Sequence, residues 1–158
     1  MSDTRFSKPL IYMLIGSAFI LALSLGVRHG FGLYLVPMSH EFNWNHGVFS
    51  LAIALQNLLW GAVQPFTGAL ADKYGSKIVV ATGGVLYVIG LVLMAFSSSG
   101  ILINLSLGLI IGLALSATSF SVLLSAVGRA AHPSKRSMAM GIASAAGSFG
   151  QFIMLPTT

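Results

Sequence analysis

No cysteine occurs in the 158 residues, which excludes a disulfide, a thiolate metal site, a redox pair and a cysteine nucleophile. Acids are almost as scarce: Asp3, Glu41 and Asp72 are the three in the chain, and no two are near enough in sequence to suggest paired acid–base work. His29, His40, His46 and His132 are scattered over levels that do not converge. These shortages predict no enzyme, no metal and no cofactor. Charged residues of both signs make up 7% of the chain, against about 25% in soluble domains. The net charge of +5 comes without a basic cluster interleaved with aromatics, so a nucleic-acid partner is not expected.

What is abundant is apolar. Hydrophobic residues make up 56% of the chain and the mean hydropathy is +0.90. Uninterrupted apolar runs recur, each long enough to cross ~30 Å of hydrocarbon. They are continuous rather than alternating, which excludes a β-barrel. The fold class is therefore all-α, a polytopic membrane protein whose first partner is the lipid bilayer. Five spans are predicted over one domain, residues 1–158, at about residues 9–38, 46–71, 77–96, 101–127 and 137–158. Arg5 and Lys8 before the first run fit a signal peptide, but that run is too long for one and further spans follow, so a retained first helix is expected.

The basic residues orient the spans. Arg5 and Lys8 precede the first, Lys73 and Lys77 lie between the second and third, and Arg129, Lys135 and Arg136 lie between the fourth and fifth. All fall on one side of the membrane. The opposite loops, "SHEFNWNHG" (39–47) and "SSSG" (97–100), contain no Lys or Arg. The basic side is the cytoplasmic one, so the N-terminus is predicted to be inside, with the plasma (inner) membrane as the location. Phe42 and Trp44 sit where an outer aromatic belt belongs.

Between the second and third spans the chain reads "GALADKYGSK", Gly68 to Lys77. This resembles the signature loop of the major facilitator superfamily: Gly68, Leu70, Ala71, Asp72, Lys73, Gly75 and Lys77 match, and Ser76 stands where arginine is usual. The resemblance implies a conformational latch of Gly68, Asp72, Lys73, Gly75 and Lys77, with Arg136 of the next basic loop, whose charges pair when the inner side is closed. A plain helix-end ion pair remains the alternative. "RSMAMGIASAAGSFGQ", Arg136 to Gln151, is similar to the start of the family's fifth helix. There Gly141, Ala145 and Ser148 form a small-residue packing face, and the glycine–proline step of the family's antiporter signature is absent. The resemblance further implies twelve helices in two halves with the substrate between them. The chain would then be an N-terminal part ending in the fifth helix, with a C-terminal half as its missing partner.

One residue contradicts its surroundings. Arg28, with His29 beside it, lies inside the apolar stretch from Pro9 to Met38. A charge at mid-bilayer costs roughly 2.5–3.5 kcal/mol on insertion scales. Either the helix ends near Val27 and Arg28 snorkels outward, or it continues through "GFGLYLVPM" and holds Arg28 in the hydrocarbon. For a helix over 9–38, Arg28 lies about four residues, ~6 Å, from the midpoint, well within a half-core of ~15 Å. The second span carries Gln56 and Asn57 at the same depth, and Gln56, Trp60 and Gln64 share one face at i, i+4, i+8. Ser116, Thr118, Ser119 and Ser121 add hydroxyls near mid-depth of the fourth span. Arg28, Gln56, Asn57 and Trp60 are the candidate substrate-binding residues, though such amides and hydroxyls are more often glue between helices than ligands.

A cavity with one permanent cation and no acid suits an anion, since a carboxylate matches the guanidinium fork. "RHGFGLYLVPMSHEFNW" is also similar to the end of the first helix in the monocarboxylate-porter and oxalate–formate-exchanger branches of that superfamily. The function this implies is alternating-access transport of a small organic anion. An exporter of other small molecules, or a non-transporting membrane fragment or scaffold, are the alternatives.

Overall fold

The computed structural model describes residues 8–41 and 46–154. Asp3, Arg5, Phe42, Trp44 and the last four residues of the expected fifth span lie outside them. The described elements are α1 (Lys8–Glu41), α2 (His46–Tyr74), α3 (Ser76–Ala95), α4 (Gly100–Ile103), a π turn (Asn104–Ile110), α5 (Ile111–Ala117), α6 (Phe120–Ala130), a 3-10 turn (Pro133–Lys135) and α7 (Arg136–Met154). Among the described residues there is no strand. Continuous apolar sequence leaves helix as the form that satisfies every backbone group without water. Four segments are long and apolar enough to cross a membrane: Lys8–Leu33, Gly47–Tyr74, Ser76–Ala95 and Gly100–Ala130. Residues of the expected fifth span form the helix α7, which is rich in small residues and is not one of these four.

The chain divides into two compact units, Gly30–Val122 and Met1–His29 with Leu123–Thr158. In the first, α2, α3 and the fourth span pack through glycine. A Cβ at Gly83 would lie 2.7 Å from the Cβ of Ala117, and one at Gly90 would lie 2.5 Å from Cγ1 of Ile111. Gly83, Tyr87, Gly90 and Met94 form the buried face of α3, while Ile78, Val85, Val88 and Val92 point outward. Gly108 and Gly112 do the same for α2: their Cβ positions fall 3.2 Å from the Ala52 carbonyl oxygen and 3.1 Å from Cα of Gln56. Small residues four apart let helix backbones approach closely in lipid, where packing rather than hydrophobicity drives association.

α2 runs three residues beyond the expected Ala71, to Tyr74. The reversal into α3 is made by Gly75 alone, at φ 92°, and its N–H closes on the Ala71 carbonyl at 3.0 Å. No heavy atom lies within 4 Å of a Cβ added there, so Gly75→Ala costs backbone strain and nothing else, about 1–3 kcal/mol. The thermal midpoint of the solubilised protein should fall accordingly, and an unchanged midpoint would refute the strain.

The fourth span departs from the continuous helix expected. It starts cleanly, with the Ser99 hydroxyl accepting the Leu102 N–H at 3.2 Å, then widens into the π turn and breaks at Thr118–Ser119. Neither proline nor glycine sits at the break. Hydroxyls do instead: Thr118 Oγ1 donates to the Ala114 carbonyl at 3.1 Å and Ser119 Oγ to the Ser116 carbonyl at 2.9 Å. Thr67 of α2 donates to that Ser116 carbonyl as well, at 2.9 Å. Side chains that compete for backbone carbonyls bend helices, and here they also satisfy what the break releases.

The second unit is held by Leu10 and Leu14 of α1 against Val127, Ala131, Ala139 and Ala143. This brings together the ends carrying Lys8, Arg129, Lys135 and Arg136. The small-residue face expected at Gly141, Ala145 and Ser148 is exposed; the buried one is Ala139, Ala143, Gly147 and Gly150. A Cβ on Gly150 would run into the backbone of Ala22.

Candidate functional site

α1 continues without interruption through Gly30, Gly32 and Pro37 to Glu41. Arg28 therefore stands within a long apolar helix and inside its membrane-length segment, not at a helix end near Val27. Its side chain is half-buried, and Gly26 and Gly30, one turn apart around it, are buried. His29 is exposed, and its Nδ1 donates to the Leu25 carbonyl at 2.7 Å. A carbonyl only accepts, so Nδ1 carries the proton, and Nε2 faces away from that bond.

Gln56, Asn57 and Trp60 belong to the other unit. Gln56 is only 1% exposed and its Nε2 donates to the Leu107 carbonyl of the fourth span at 3.2 Å. Asn57, 100° around α2, is exposed and donates to the Ile53 carbonyl of its own helix at 2.9 Å. Trp60 is half-buried. The shared face of Gln56 and Gln64 is real, but it lies on the fourth span: Gln64 Nε2 donates to Ser121 Oγ at 2.8 Å. Ser121 Oγ lies 2.9 Å from Ser119 Oγ. The Ser119 proton already goes to the Ser116 carbonyl, so Ser121 is the donor between the two serines. This seam runs amide to hydroxyl to hydroxyl to carbonyl, with every proton directed into the helix pair. Its members are helix glue in this geometry.

An open groove of about 950 Å³ runs between α2 and the fourth span, lined by Leu51, Leu55, Leu59, Leu105 and Leu109 with Asn104 and Ser99. Among the described residues that line it there is no lysine or arginine, so they offer an anion no cationic side chain.

At the α2–α3 turn, Asp72, Lys73 and Lys77 are all exposed, as is Gly75, and Gly68 is half-exposed. Asp72 occupies the last turn of α2, where a negative charge opposes the helix dipole. Lys73 offsets it, and its Nζ lies 5.0 Å from the Tyr74 ring centroid. Arg136 belongs to the other unit, with its guanidinium over Gly128 of α6. Among the described residues no group of three His, Asp or Glu side chains is placed to hold a metal.

Two features were not expected from sequence: the π turn and the Thr118–Ser119 break. The signals were present in "NLSLGLIIG" and "SATSFS", as polar side chains able to bond carbonyls one turn back and a glycine pair four apart.

Residues 9–158 match a family model described as Major Facilitator Superfamily. Among curated proteins, the chain is similar to monocarboxylate transporter 2 of Homo sapiens, 31% identical over 138 residues, 85% of this chain and 28% of that protein. It is similar to monocarboxylate transporter 13 of Rattus norvegicus, 33% identical over 153 residues, 92% of this chain and 34% of that protein. A shorter match, 31% identical over 96 residues, 58% of this chain and 24% of that protein, is to the multidrug resistance protein MdtH of Aeromonas hydrophila. The chain spans about a third of the length of the monocarboxylate transporters it matches.

Proposed function

Because this chain belongs to the major facilitator superfamily, we propose that it is part of a secondary active transporter of a small organic anion, a monocarboxylate above all, working by alternating access. The observation that carries the reading is Arg28, a permanent cation within a helix that stays continuous and apolar past it. A guanidinium there offers a planar, two-pronged donor to a carboxylate. Gly26 and Gly30, one on either side, bring no side chain of their own to crowd the guanidinium. The chain's similarity to two monocarboxylate transporters supports this chemistry. Titration of the full-length transporter with small carboxylates and with amines of similar size tests it: carboxylates bind and amines do not. Tighter binding of amines would favour the multidrug reading suggested by the shorter match.

The chain is an integral membrane protein, and in this proposal its N-terminus is cytoplasmic. A cysteine at Ser98, introduced into a chain with none of its own, should react with an impermeant maleimide from outside only. Labelling from inside only would invert the topology.

The turn Gly68–Lys77 acts as the latch. Asp72 at the end of α2 is the group whose pairing changes between inward-closed and inward-open states. Asp72→Asn should lower the initial uptake rate about fivefold or more, the scale of ordinary conformational couplings, while surface abundance holds. Equal loss of uptake and abundance would reduce Asp72 to a helix-end charge.

A further inference from the structure

The π turn poses a problem of hydrogen bonds. In an α-helix the Ile111 N–H would go to the Leu107 carbonyl, four residues back. Here it goes one residue further, to the Ser106 carbonyl. The Leu107 carbonyl, 0% exposed with its residue, is met instead by Gln56 Nε2 from α2. Two donors thus stand near one carbonyl, and the helix has widened to suit the second.

The neighbouring side chains loosen the helix at this point. Asn104 Nδ2 donates to the Gly100 carbonyl at 2.7 Å, and Ser106 Oγ to the Leu102 carbonyl at 2.8 Å. Each draws on a carbonyl one turn back, which favours irregular turns over the α ladder. Gly108 and Gly112 supply the other requirement, since without a Cβ they let α2 come close enough for Gln56 to reach.

We infer that this π turn is a register switch in the fourth span, and that the Gln56 amide is its latch. With Gln56 on Leu107, the turn holds one extra residue. When Gln56 leaves, the Ile111 N–H returns to Leu107, the turn tightens to α, and Gly100–Ser106 rotates by about 100° and slides by about 1.5 Å relative to α5. The π register leaves the Leu107 carbonyl without a backbone donor, in an apolar span where a side chain rather than water has to supply one, and Gln56 does so. Packed helix faces change by such discrete steps rather than by gradual deformation. The predicted consequence is a turn of the buried face: Ile101 is 77% exposed and Ile103 0%, and the slip carries Ile103 to the half-buried place that Leu102 holds and Ile101 to the half-buried place of Gly100.

The test uses the chain in lipid vesicles, with single cysteines I101C or I103C and maleimide labelling rates as the readout. In the otherwise native chain, I101C reacts and I103C is protected. Adding Gln56→Leu should raise the I103C rate and lower the I101C rate until the two are similar. Deleting Leu105 removes the extra residue while keeping both flanking faces in place, so in that background Gln56→Leu should leave I103C protected. If Gln56→Leu alone prevents assembly, the deletion should restore it. Protection of I103C in the Gln56→Leu chain, reactivity in both backgrounds, or failure to assemble in both would each overturn the switch and leave Gln56 as ordinary glue.

Discussion

Arg28→Gln in the full-length transporter is expected to weaken binding of a small carboxylate by roughly 10- to 100-fold. A hydrogen bond to a charged group contributes about 1.5–3 kcal/mol, and each 1.4 kcal/mol is about a factor of ten in affinity. Expression should hold or rise, since a neutral side chain is cheaper to insert than a cation. Arg28→Lys keeps the charge but loses the planar fork, so its affinity should fall between the two. Calorimetric titration of the three proteins with the same carboxylate decides the matter. Equal affinities would mean that Arg28 serves the helix and not the ligand. His29 provides a control: its Nδ1 is held by the Leu25 carbonyl, and His29→Asn should change affinity little.

The second large effect concerns packing. Gly112→Leu places a branched side chain where even a Cβ would meet Cα and the carbonyl oxygen of Gln56, both at 3.1 Å, and Cβ of Leu59 at 3.2 Å. Two of these three atoms are backbone and cannot swing aside. Overpacking of a core costs about 1–3 kcal/mol for smaller insertions, and a full leucine against backbone should exceed that and part α2 from the fourth span. Gly84 makes the comparison, because no heavy atom lies within 4 Å of its Cβ position. Gly84→Leu should be neutral or slightly stabilising, since a side chain in a helix interior recovers about 0.5–1 kcal/mol relative to glycine. Thermal melting in detergent should separate the two variants clearly. Equal midpoints would contradict the close approach at Gly112.

Much of the architecture is legible in the amino-acid sequence. An apolar run of membrane length has one stable backbone solution, so the helices and their approximate bounds follow from composition. Gly75 was legible because a one-residue reversal between helices needs a positive φ that glycine adopts freely. Gln56 was half legible: its spacing with Gln64 showed that they share a face, but spacing does not say what the face meets. The structure turns that face onto the fourth span, where the amide completes a backbone defect. The π turn and the Thr118–Ser119 break were out of reach for a related reason. Serine and threonine in a membrane helix are compatible with straight and bent forms, and the choice depends on partners such as Thr67, 49 residues away from Ser116. In α7 two stripes of small residues lie side by side, and composition could not tell Gly141–Ala145–Ser148 from Ala139–Ala143–Gly147–Gly150. Arg28 was the most legible of the candidate binding residues, because a lone guanidinium in an apolar helix stands out whatever surrounds it.

Solute uptake into vesicles tests most directly whether this chain forms part of a carrier for a small organic anion, as proposed. With the full-length polypeptide reconstituted, a radiolabelled monocarboxylate should enter saturably, compete with other small carboxylates and not with amines, and enter far more slowly when Arg28 is glutamine. Uptake no greater than in protein-free vesicles, or saturable movement of cationic compounds in place of carboxylates, would contradict the account.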